Sequence, residues 1–469
     1  MDNRAVTRRS VRLAARPPSR RPPKRKGATL CPSRFNACVR EDNGTLLVFN
    51  SLTSALIQFQ GRTADKVAEI LEGRRTARGA LAEYLSQQGL VVPADRDELD
   101  LAAQLHEIPF ESDESLGLML LPHENCNFRC TYCYEEFAKN AMNPDVVEGV
   151  IALVRRRAPT LRILSLGWFG GEPLLAFNIV EDVATRLREI CAANGVAFSS
   201  EMTTNGYLLD AERARRCIAA GITRYQITLD GPPESHNQTR RLVGGGGTFE
   251  RIFANLCHLR DHADGFHVAI RVNFSPVSLP KLPEFVQRLG QTFGHDDRFS
   301  MRFRPIGRWG GPNDQHLIVC GKDEGADQEV SLMAMASNAG FSLQTWASGM
   351  RPFGTVCYAA NPRHFVIGSD GIVYKCTVAF NDPRNHVGRI DRQGNLNLRD
   401  DLVRIWTRSG EETDEGCRTC GFRPACQGNL CPLERIEGQE KRCPTTKTHM
   451  GRILPLLAHD ARRSAIVAS

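Results

Sequence analysis

Short apolar runs alternate with stretches of helical spacing through the middle of the chain. The runs lie at 117–121, 163–169, 197–203, 224–229, 268–274 and 301–304, with helical stretches between them at 145–157, 176–193, 210–220, 249–262 and 282–289. This series of β/α units predicts an α/β fold in which a parallel sheet curls into a partial (β/α)6 TIM-like barrel. In such a fold we expect the reactive groups on the loops that follow the carboxyl ends of the strands.

The segment before the barrel has a different pattern. Residues 35–39 alternate and residues 46–49 are apolar, with a turn sequence between them, which predicts a β-hairpin. Helices are predicted at 64–72, 78–88 and 95–105, and a strand at 90–92. A hairpin with short helices resembles a winged-helix-like α+β unit in its layout.

Composition and charge restrict the possible functions. The chain has 469 residues, 41% of them hydrophobic, and a formal charge of +7. Residues 1–26 hold ten Lys and Arg residues against Asp2 alone, which leaves about −2 for the remaining chain. A strongly basic body, typical of a nucleic-acid-binding protein, is therefore excluded, and only a basic tail remains.

The basic tail contains prolines and arginines and almost nothing apolar, so we expect it to be disordered. It lacks the apolar core of a secretory signal, and no run of about 18 apolar residues occurs along the chain. We therefore expect a cytoplasmic protein without a membrane partner.

Cysteines supply the first candidate chemistry. Sixteen cysteines without an export signal favour metal ligands over disulfides. Cys126, Cys130 and Cys133 lie on the loop after the first barrel strand. Three thiolates can hold three irons of a [4Fe–4S] cube and leave the fourth iron open, whereas a structural site needs four ligands. The alternative is a structural zinc site with a fourth ligand such as His123.

The next strand ends in the sequence Gly170-Gly171-Glu172-Pro173. Paired glycines let main-chain groups approach a ligand closely, and Pro173 fixes the turn. Glu172 offers a carboxylate to a cationic amine.

Polar groups also follow the third and fourth strands. Asn205 and Thr228 carry short amide or hydroxyl groups that suit ribose hydroxyls. Asp230 stands in an Asp-Gly-Pro sequence, whose commoner use is a turn or a helix start. Signatures at four successive strand ends favour a catalytic barrel.

The cysteine triplet and the Gly-Gly-Glu-Pro sequence resemble the motifs of radical S-adenosylmethionine (SAM) enzymes, including the aromatic Tyr132 just before the last cysteine. The resemblance implies that the amino and carboxylate groups of SAM chelate the open iron and that Glu172 binds the amino group. It also implies a set of cofactor-binding residues, namely Tyr132, Gly170, Gly171, Glu172, Pro173, Asn205 and Thr228.

Seven further cysteines lie near the carboxyl terminus, at Cys357, Cys376, Cys417, Cys420, Cys426, Cys431 and Cys443. Their spacing resembles the SPASM extension of radical SAM maturases, which carries two auxiliary [4Fe–4S] clusters. The pairing in that family implies an inner group of three ligands (Cys357, Cys376 and Cys431) and an outer group of four (Cys417, Cys420, Cys426 and Cys443).

The pairing is open to two alternatives. The gap before Cys431 is four residues instead of three, and the final gap is shorter than usual. A zinc ribbon of Cys417, Cys420, Cys426 and Cys431 would explain neither Cys357 nor the first triplet. Cys320 is the nearest candidate for a fourth thiolate in the inner group.

The resemblance covers about residues 115–445 and implies a radical SAM oxidoreductase that modifies a peptide or protein. Reductive cleavage of SAM would give a 5′-deoxyadenosyl radical that abstracts hydrogen from the substrate, with a thioether crosslink as one expected product. The expected partners are the peptide or protein substrate and an electron donor such as flavodoxin or ferredoxin. In related enzymes, a unit like the one before the barrel captures the precursor peptide; here it could equally brace the barrel.

Two other functions remain open from the residues. One is the anaerobic sulfatase-maturase reaction, which oxidises Cys or Ser to formylglycine; that family has an acidic residue where this chain has Thr377. The other is a non-catalytic, metal-stabilised protein that binds nucleic acid through the basic tail, a partner that the near-neutral body does not favour.

The predicted organisation has six parts. They are a disordered basic tail (1–30), a winged-helix-like recognition or docking domain (31–112), the radical SAM partial barrel (113–310), a bridging segment (311–350), a cysteine-rich iron–sulfur domain of SPASM type (351–450) and a carboxyl-terminal tail (451–469).

Overall fold

The computed structural model describes residues 29–408, 410–412, 414–438 and 442–467. The predicted basic tail therefore lies outside the described residues up to residue 28. The strands are β1 (Leu30–Pro32), β2 (Asn36–Arg40), β3 (Leu46–Asn50), β4 (Ala55–Phe59), β5 (Val91–Pro93), β6 (Ser115–His123), β7 (Phe128–Cys130), β8 (Ile163–Gly170), β9 (Ala197–Thr204), β10 (Ile222–Thr228), β11 (Arg240–Leu242), β12 (His267–Phe274), β13 (Phe299–Pro305), β14 (His364–Ile367), β15 (Ile372–Tyr374), β16 (Gly388–Ile390) and β17 (Leu396–Leu398).

Helices connect and cover these strands. They are α1 (Gly61–Leu71), α2 (Gly79–Gln87), α3 (Glu98–Glu111), α4 (Pro144–Arg157), α5 (Phe177–Ala193), α6 (Ala211–Ala219), α7 (Pro233–Thr239), α8 (Phe249–His262), α9 (Leu282–Phe293), α10 (Lys322–Asn338), α11 (Gln344–Gly349), α12 (Asp400–Thr407), α13 (Glu415–Arg418), α14 (Arg423–Cys426), α15 (Pro432–Ile436), α16 (Thr445–Thr448) and α17 (Met450–Val467).

A ten-stranded sheet forms the centre of the molecule. Its strand order is β13-β12-β10-β9-β8-β6-β14-β15-β16-β17. The six strands from β6 to β13 are parallel and lie side by side in chain order, which confirms the predicted partial barrel. Beyond β6 the sheet continues into the cysteine-rich region, because β14 pairs with β6 in parallel and β15 to β17 follow in antiparallel order.

The barrel strands alternate between an outer and an inner face. On β12, Val268, Ile270 and Val272 are fully buried against the helices, so Arg271 and Asn273 face the barrel interior. This period of two makes the apolar runs easy to recognise, and the strand bounds differ from the predicted ones by only a few residues.

The amino-terminal unit is a three-stranded antiparallel sheet, β2-β3-β4, with short helices. The predicted hairpin is β2 and β3, and β4 is an additional strand. Both faces of β3 are buried: Leu46 and Val48 pack with α1 and α2, whereas Leu47 and Phe49 pack with Met333 of α10 and with residues of the cysteine-rich region and α17.

The carboxyl-terminal segment after residue 450 was expected to be a tail, but the structure differs there. Residues Met450–Val467 form α17, in which Ile453 and Leu454 are fully buried against the amino-terminal sheet and α10. The helix forms because its apolar residues recur at helical spacing and have an apolar surface to cover. No helix within the described part of the chain is long and apolar enough to cross a membrane.

Candidate active site at the barrel mouth

The cysteine loop leaves β6 and is held at the barrel mouth by a short two-stranded ladder. In this ladder β7 pairs antiparallel with β11, and Cys130 stands opposite Arg240. The main-chain N–H of Thr131 also donates to Thr239 O at 2.9 Å. The loop is therefore fixed by the segment that follows β10, far away in sequence.

The three thiols of this loop converge. Burial raises the pKa of Cys126, and Glu172, Cys130 and Cys133 raise it further. Burial likewise raises the pKa of Cys133 to about 12, with contributions from Glu135 and Cys130. Three mutually close, partly buried thiols on one loop are the donor set that a [4Fe–4S] cube requires.

The ligands of a cube bind different irons, so their arrangement differs from that around a single ion. Among the residues that the structure describes, no group of three or more His, Cys, Asp or Glu side chains is arranged to hold one metal ion.

Gly170 and Gly171 permit close packing of the second loop against the cysteine loop. Gly170 has φ +112°, and a Cβ at Gly171 would lie 2.3 Å from Asn125 O and 2.9 Å from Cys126 N. The N–H of Glu172 donates to Asn125 O at 3.0 Å. The sequence predicted that these glycines let the main chain approach a ligand. In the structure they also let the main chains of the two loops approach each other.

Glu172 is completely buried, and its carboxylate already has three partners in the chain. It accepts hydrogen bonds from the N–H of Leu174 (3.0 Å), the hydroxyl of Thr204 (2.7 Å) and the N–H of Asn205 (2.8 Å). Burial raises the pKa of Glu172, although these three donors oppose the shift. The carboxylate joins the turns after β8 and β9, and its predicted contact with the SAM amino group stays a prediction.

Asn205 and Thr228 stand where the sequence places them, at the carboxyl ends of β9 and β10. The amide N–H of Asn205 donates to Asn127 Oδ1 at 2.8 Å and lies 3.8 Å from Cys126 Sγ. Asn205 lies beside the cysteine loop and Thr228 is buried at the end of β10, and the contact of either side chain with a ribose remains a prediction.

Tyr132 takes part in a buried polar cluster that the sequence did not reveal. Its hydroxyl donates to Asp230 Oδ2 and accepts from Arg240 (2.8 Å) and from Asn273 Nδ2 (3.1 Å). The other carboxylate oxygen of Asp230 accepts from the main-chain N–H of Asn273 at 2.7 Å. Asp230 therefore connects the ends of β10, β11 and β12 to the cysteine loop, in addition to its place in a turn.

His236 supports this cluster from behind. Its Nδ1 accepts from the N–H of Asp230 at 3.2 Å, and its Nε2 lies 3.0 Å from Thr248 Oγ1. Burial lowers the pKa of His236 to about 2, and the nearby Arg240 acts in the same direction. The imidazole is therefore neutral and serves as a fixed hydrogen-bonding group.

The inner group of cysteines also converges. Burial raises the pKa of Cys357 to about 12, and the neighbouring thiols of Cys376 and Cys431 contribute. Cys320, the candidate fourth ligand, lies just before α10, where its Cβ is 3.6 Å from the position of a Cβ built at Gly325, and its role as a ligand stays a prediction. These three thiols lie near one another, and their role as the ligands of an inner cluster stays a prediction.

The outer group contains the remaining four cysteines. Burial raises the pKa of Cys426, and the thiols of Cys417 and Cys443 raise it further. Lys447 lies within hydrogen-bonding reach of Cys420 and Cys443, with 3.4 Å between Nζ and Cys443 Sγ. Cys431 lies near Cys357 and Cys376, and the division of these cysteines among clusters stays a prediction.

A cavity of about 690 Å³ opens between the barrel mouth and the cysteine-rich region. Tyr134 and Glu135 line it from the cysteine loop, residues 307–310 from the end of β13, and residues 378–382 from the segment after Cys376. Burial raises the pKa of Tyr134, and both Cys133 and Cys376 contribute to the shift. Tyr134 thus lies between the first thiol group and the inner one.

Comparison with known proteins assigns the class of this barrel. Residues 120–279 match the family model described as the Radical SAM superfamily. The chain therefore contains a radical SAM domain. This match confirms SAM and iron–sulfur clusters as the cofactors expected from the sequence.

Two curated relatives extend the comparison. A GTP 3′,8-cyclase from Microcystis aeruginosa is 32% identical over 162 residues, which are 33% of this chain and 44% of the relative. The chain thus spans about half the length of the GTP 3′,8-cyclases that it matches. A serine-type anaerobic sulfatase-maturating enzyme from Klebsiella aerogenes is 23% identical over 348 residues, which are 68% of this chain and 80% of the relative.

A solved structure shares the fold. The structure described as native anSMEcpe with bound AdoMet and Cp18Cys peptide has a TM-score of 0.53 and 16% sequence identity, and the match covers 76% of this chain and 100% of that one. The barrel and the cysteine-rich carboxyl-terminal region expected from the sequence are therefore confirmed as a fold.

Proposed function

We propose that this protein is a radical SAM maturase that modifies a side chain of a peptide or protein. The observation that carries the proposal is the convergence of the ten cysteines into groups of three, three and four, with a cavity between the first two. The similarity to a sulfatase-maturating enzyme over 80% of that relative's length supports it.

The residues of the chain would divide the work as follows. Cys126, Cys130 and Cys133 would hold the SAM-binding cluster, and Asn205 and Thr228 would orient the nucleoside. Cluster and SAM, when bound, supply a 5′-deoxyadenosyl radical that removes hydrogen from the substrate.

The cavity would place the substrate between the first thiol group and the inner one. A substrate that fills the cavity would displace water from it, which would protect a reactive radical from side reactions. The auxiliary groups would accept an electron from the substrate or bind one of its atoms, and an external donor such as flavodoxin or ferredoxin would supply the first electron.

Oxidation of Cys or Ser to formylglycine is the second candidate, because the relative from Klebsiella aerogenes is a sulfatase-maturating enzyme. The position after Cys376 argues against it. Thr377 has a hydroxyl group and therefore supplies no carboxylate base. It is buried, and its hydroxyl is hydrogen-bonded to the Tyr358 hydroxyl at 2.7 Å.

Co-expression tests the proposal. Short reading frames that neighbour this one in its genome would be expressed with and without the enzyme, and the peptides compared by mass spectrometry. A mass change that requires Cys126, Cys130 and Cys133 would support a maturase. Both a crosslink and the oxidation of Ser to formylglycine remove two hydrogens, so the modified peptide would also be treated with a hydrazide, which labels the aldehyde of formylglycine and leaves a crosslink unlabelled. Wild-type protein that forms no 5′-deoxyadenosine from SAM under reducing conditions would refute it.

A further inference from the structure

Three arginines on the inner face of the barrel have no part in the cofactor assignments. Arg271 lies on β12, and Arg302 and Arg304 lie on β13. In the strand register, Arg271 stands between Thr228 of β10 and Arg302. The residues that alternate with the arginines are buried on the outer face, so the arginines project into the barrel.

Their partners leave positive charge uncompensated. Arg304 forms an ion pair with Glu329, with 2.7 Å between NH1 and Oε1. Arg271 donates from Nε to the neutral amide oxygen of Asn273 at 2.8 Å. Within the described residues, neither Arg271 nor Arg302 forms an ion pair with a carboxylate. Two guanidinium groups on adjacent strands therefore lack a direct counter-charge.

The electrostatics of the region favour an anion. Burial lowers the pKa of Arg302 to about 10, and Arg304 and Arg271 act in the same direction, whereas Glu329 and Glu201 oppose it. A desolvated cation without a partner is costly, and a bound anion would remove that cost.

Arg271 is in the same position. Burial lowers its pKa and Arg304 lowers it further, while Tyr132, Tyr134 and Asp230 oppose the shift. Arg271 and Arg302 both keep part of their surface accessible, so a ligand can reach them.

We propose that Arg271 and Arg302 bind a carboxylate of the substrate, carried by an Asp or Glu side chain or by the end of a peptide. The planar fork of a guanidinium suits the two oxygens of a carboxylate. The inference rests on the proposed function and specifies its substrate as an acidic peptide.

The position of β13 favours the substrate over SAM as the source of this carboxylate. β13 is the edge strand of the barrel, separated from β6 by four strands in the sheet, although Gly311, which follows it, packs against Cys133 of the cysteine loop. Residues 307–310, just after β13, line the cavity, so a peptide in the cavity would lie near the end of the strand that carries Arg302 and Arg304. The carboxylate of SAM is assigned to the open iron at the cysteine loop instead.

Binding of two matched probes tests the inference. Reconstituted protein would be titrated calorimetrically with N-acetyl-L-glutamate N-methylamide and with its uncharged isostere, N-acetyl-L-glutamine N-methylamide. We expect wild-type protein to prefer the glutamate probe by about 10-fold or more, because a charge-assisted pair is stronger than a neutral hydrogen bond. Arg302→Gln should abolish this preference, and Arg302→Lys, which keeps the charge, should retain part of it.

Arg224→Gln is the matched control. Arg224 lies on the same face of β10 as Thr228 but at the opposite end of the strand, and its side chain is 54% exposed. This variant should keep the wild-type preference. Equal affinity of wild-type protein for both probes, or no binding of either at millimolar concentration, would overturn the inference.

Affinity for SAM separates the two sources of carboxylate. Arg302→Gln should bind SAM as wild-type protein does, and a loss of SAM affinity in this variant would overturn the inference. Failure of wild-type protein to form 5′-deoxyadenosine would refute the proposed function, and it would leave the comparison of the two probes unaffected.

Discussion

Replacing Gly171 with alanine tests how the two loops at the barrel mouth pack against each other. The added Cβ would lie 2.3 Å from Asn125 O and 2.9 Å from Cys126 N. Ordinary van der Waals contact begins at 3.4 Å, so one loop must move by about 1 Å. Both obstacles are main-chain atoms, which cannot rotate out of the way as a side chain could.

The expected effect has two parts. Overpacking in a well-packed region costs about 1–3 kcal/mol, and the lack of a flexible neighbour places Gly171→Ala near about 3 kcal/mol. A displacement of about 1 Å in a reacting geometry costs about 100-fold in rate. We therefore expect a lower unfolding temperature and about 100-fold slower reductive cleavage of SAM.

The assay compares Gly171→Ala with Gly244→Ala after anaerobic reconstitution. Gly244 belongs to the glycine run after β11, and a Cβ there would meet no heavy atom within 4 Å. Thermal unfolding, iron content and 5′-deoxyadenosine formation would be measured on both. If Gly171→Ala matched Gly244→Ala in all three, the close contact of the two loops would be refuted.

Three other perturbations test separate parts of the structure. Arg240→Met should destabilise the protein by about 3–5 kcal/mol, because the buried carboxylate of Asp230 lies 4.0 Å from Arg240 and would lose its cation. Thermal unfolding should show a smaller loss in the Asp230→Asn background, and equal losses would contradict the coupling. His236 has a folded-state pKa of about 2 against an ordinary 6.5, so below pH 6.5 the unfolded state takes up a proton that the folded state refuses, and stability falls by about 1.4 kcal/mol per pH unit. The unfolding temperature of His236→Gln should depend less on pH between 6.5 and 4, and parallel profiles would contradict this. Deleting residues 1–111 should cause aggregation, measured by size-exclusion chromatography, because Leu47 and Phe49 cover an apolar surface of α10 and α17; a monodisperse truncated protein would contradict it.

Local patterns were sufficient to predict most of the barrel. The apolar runs of β8 and β12 contain five or more residues and end at glycine or polar sequences, so their periods are clear. The strand β4 was not predicted, although Ala55–Phe59 is as long as the predicted strands β2 and β3. The helix α17 was not predicted because the sequence does not reveal the apolar surface of β3 and α10 that its apolar face covers.

The candidate site was predicted in its motifs and missed in its long-range contacts. Tyr132 and Asp230 are hydrogen-bonded across 98 positions of sequence, and Asn273 joins them from a third strand. Spacing along the chain carries no information on such pairs. The inward arginines had a signal, since Arg302 and Arg304 alternate with apolar residues at the end of a strand.

Iron stoichiometry tests the central assignment most directly. Because the ten cysteines would hold three [4Fe–4S] clusters, reconstituted wild-type protein should contain about twelve irons per chain and cleave SAM reductively. Changing Cys126, Cys130 and Cys133 together to alanine should leave about eight irons and abolish cleavage. A wild-type content near four irons, or SAM cleavage that persists in the triple variant, would contradict the assignment.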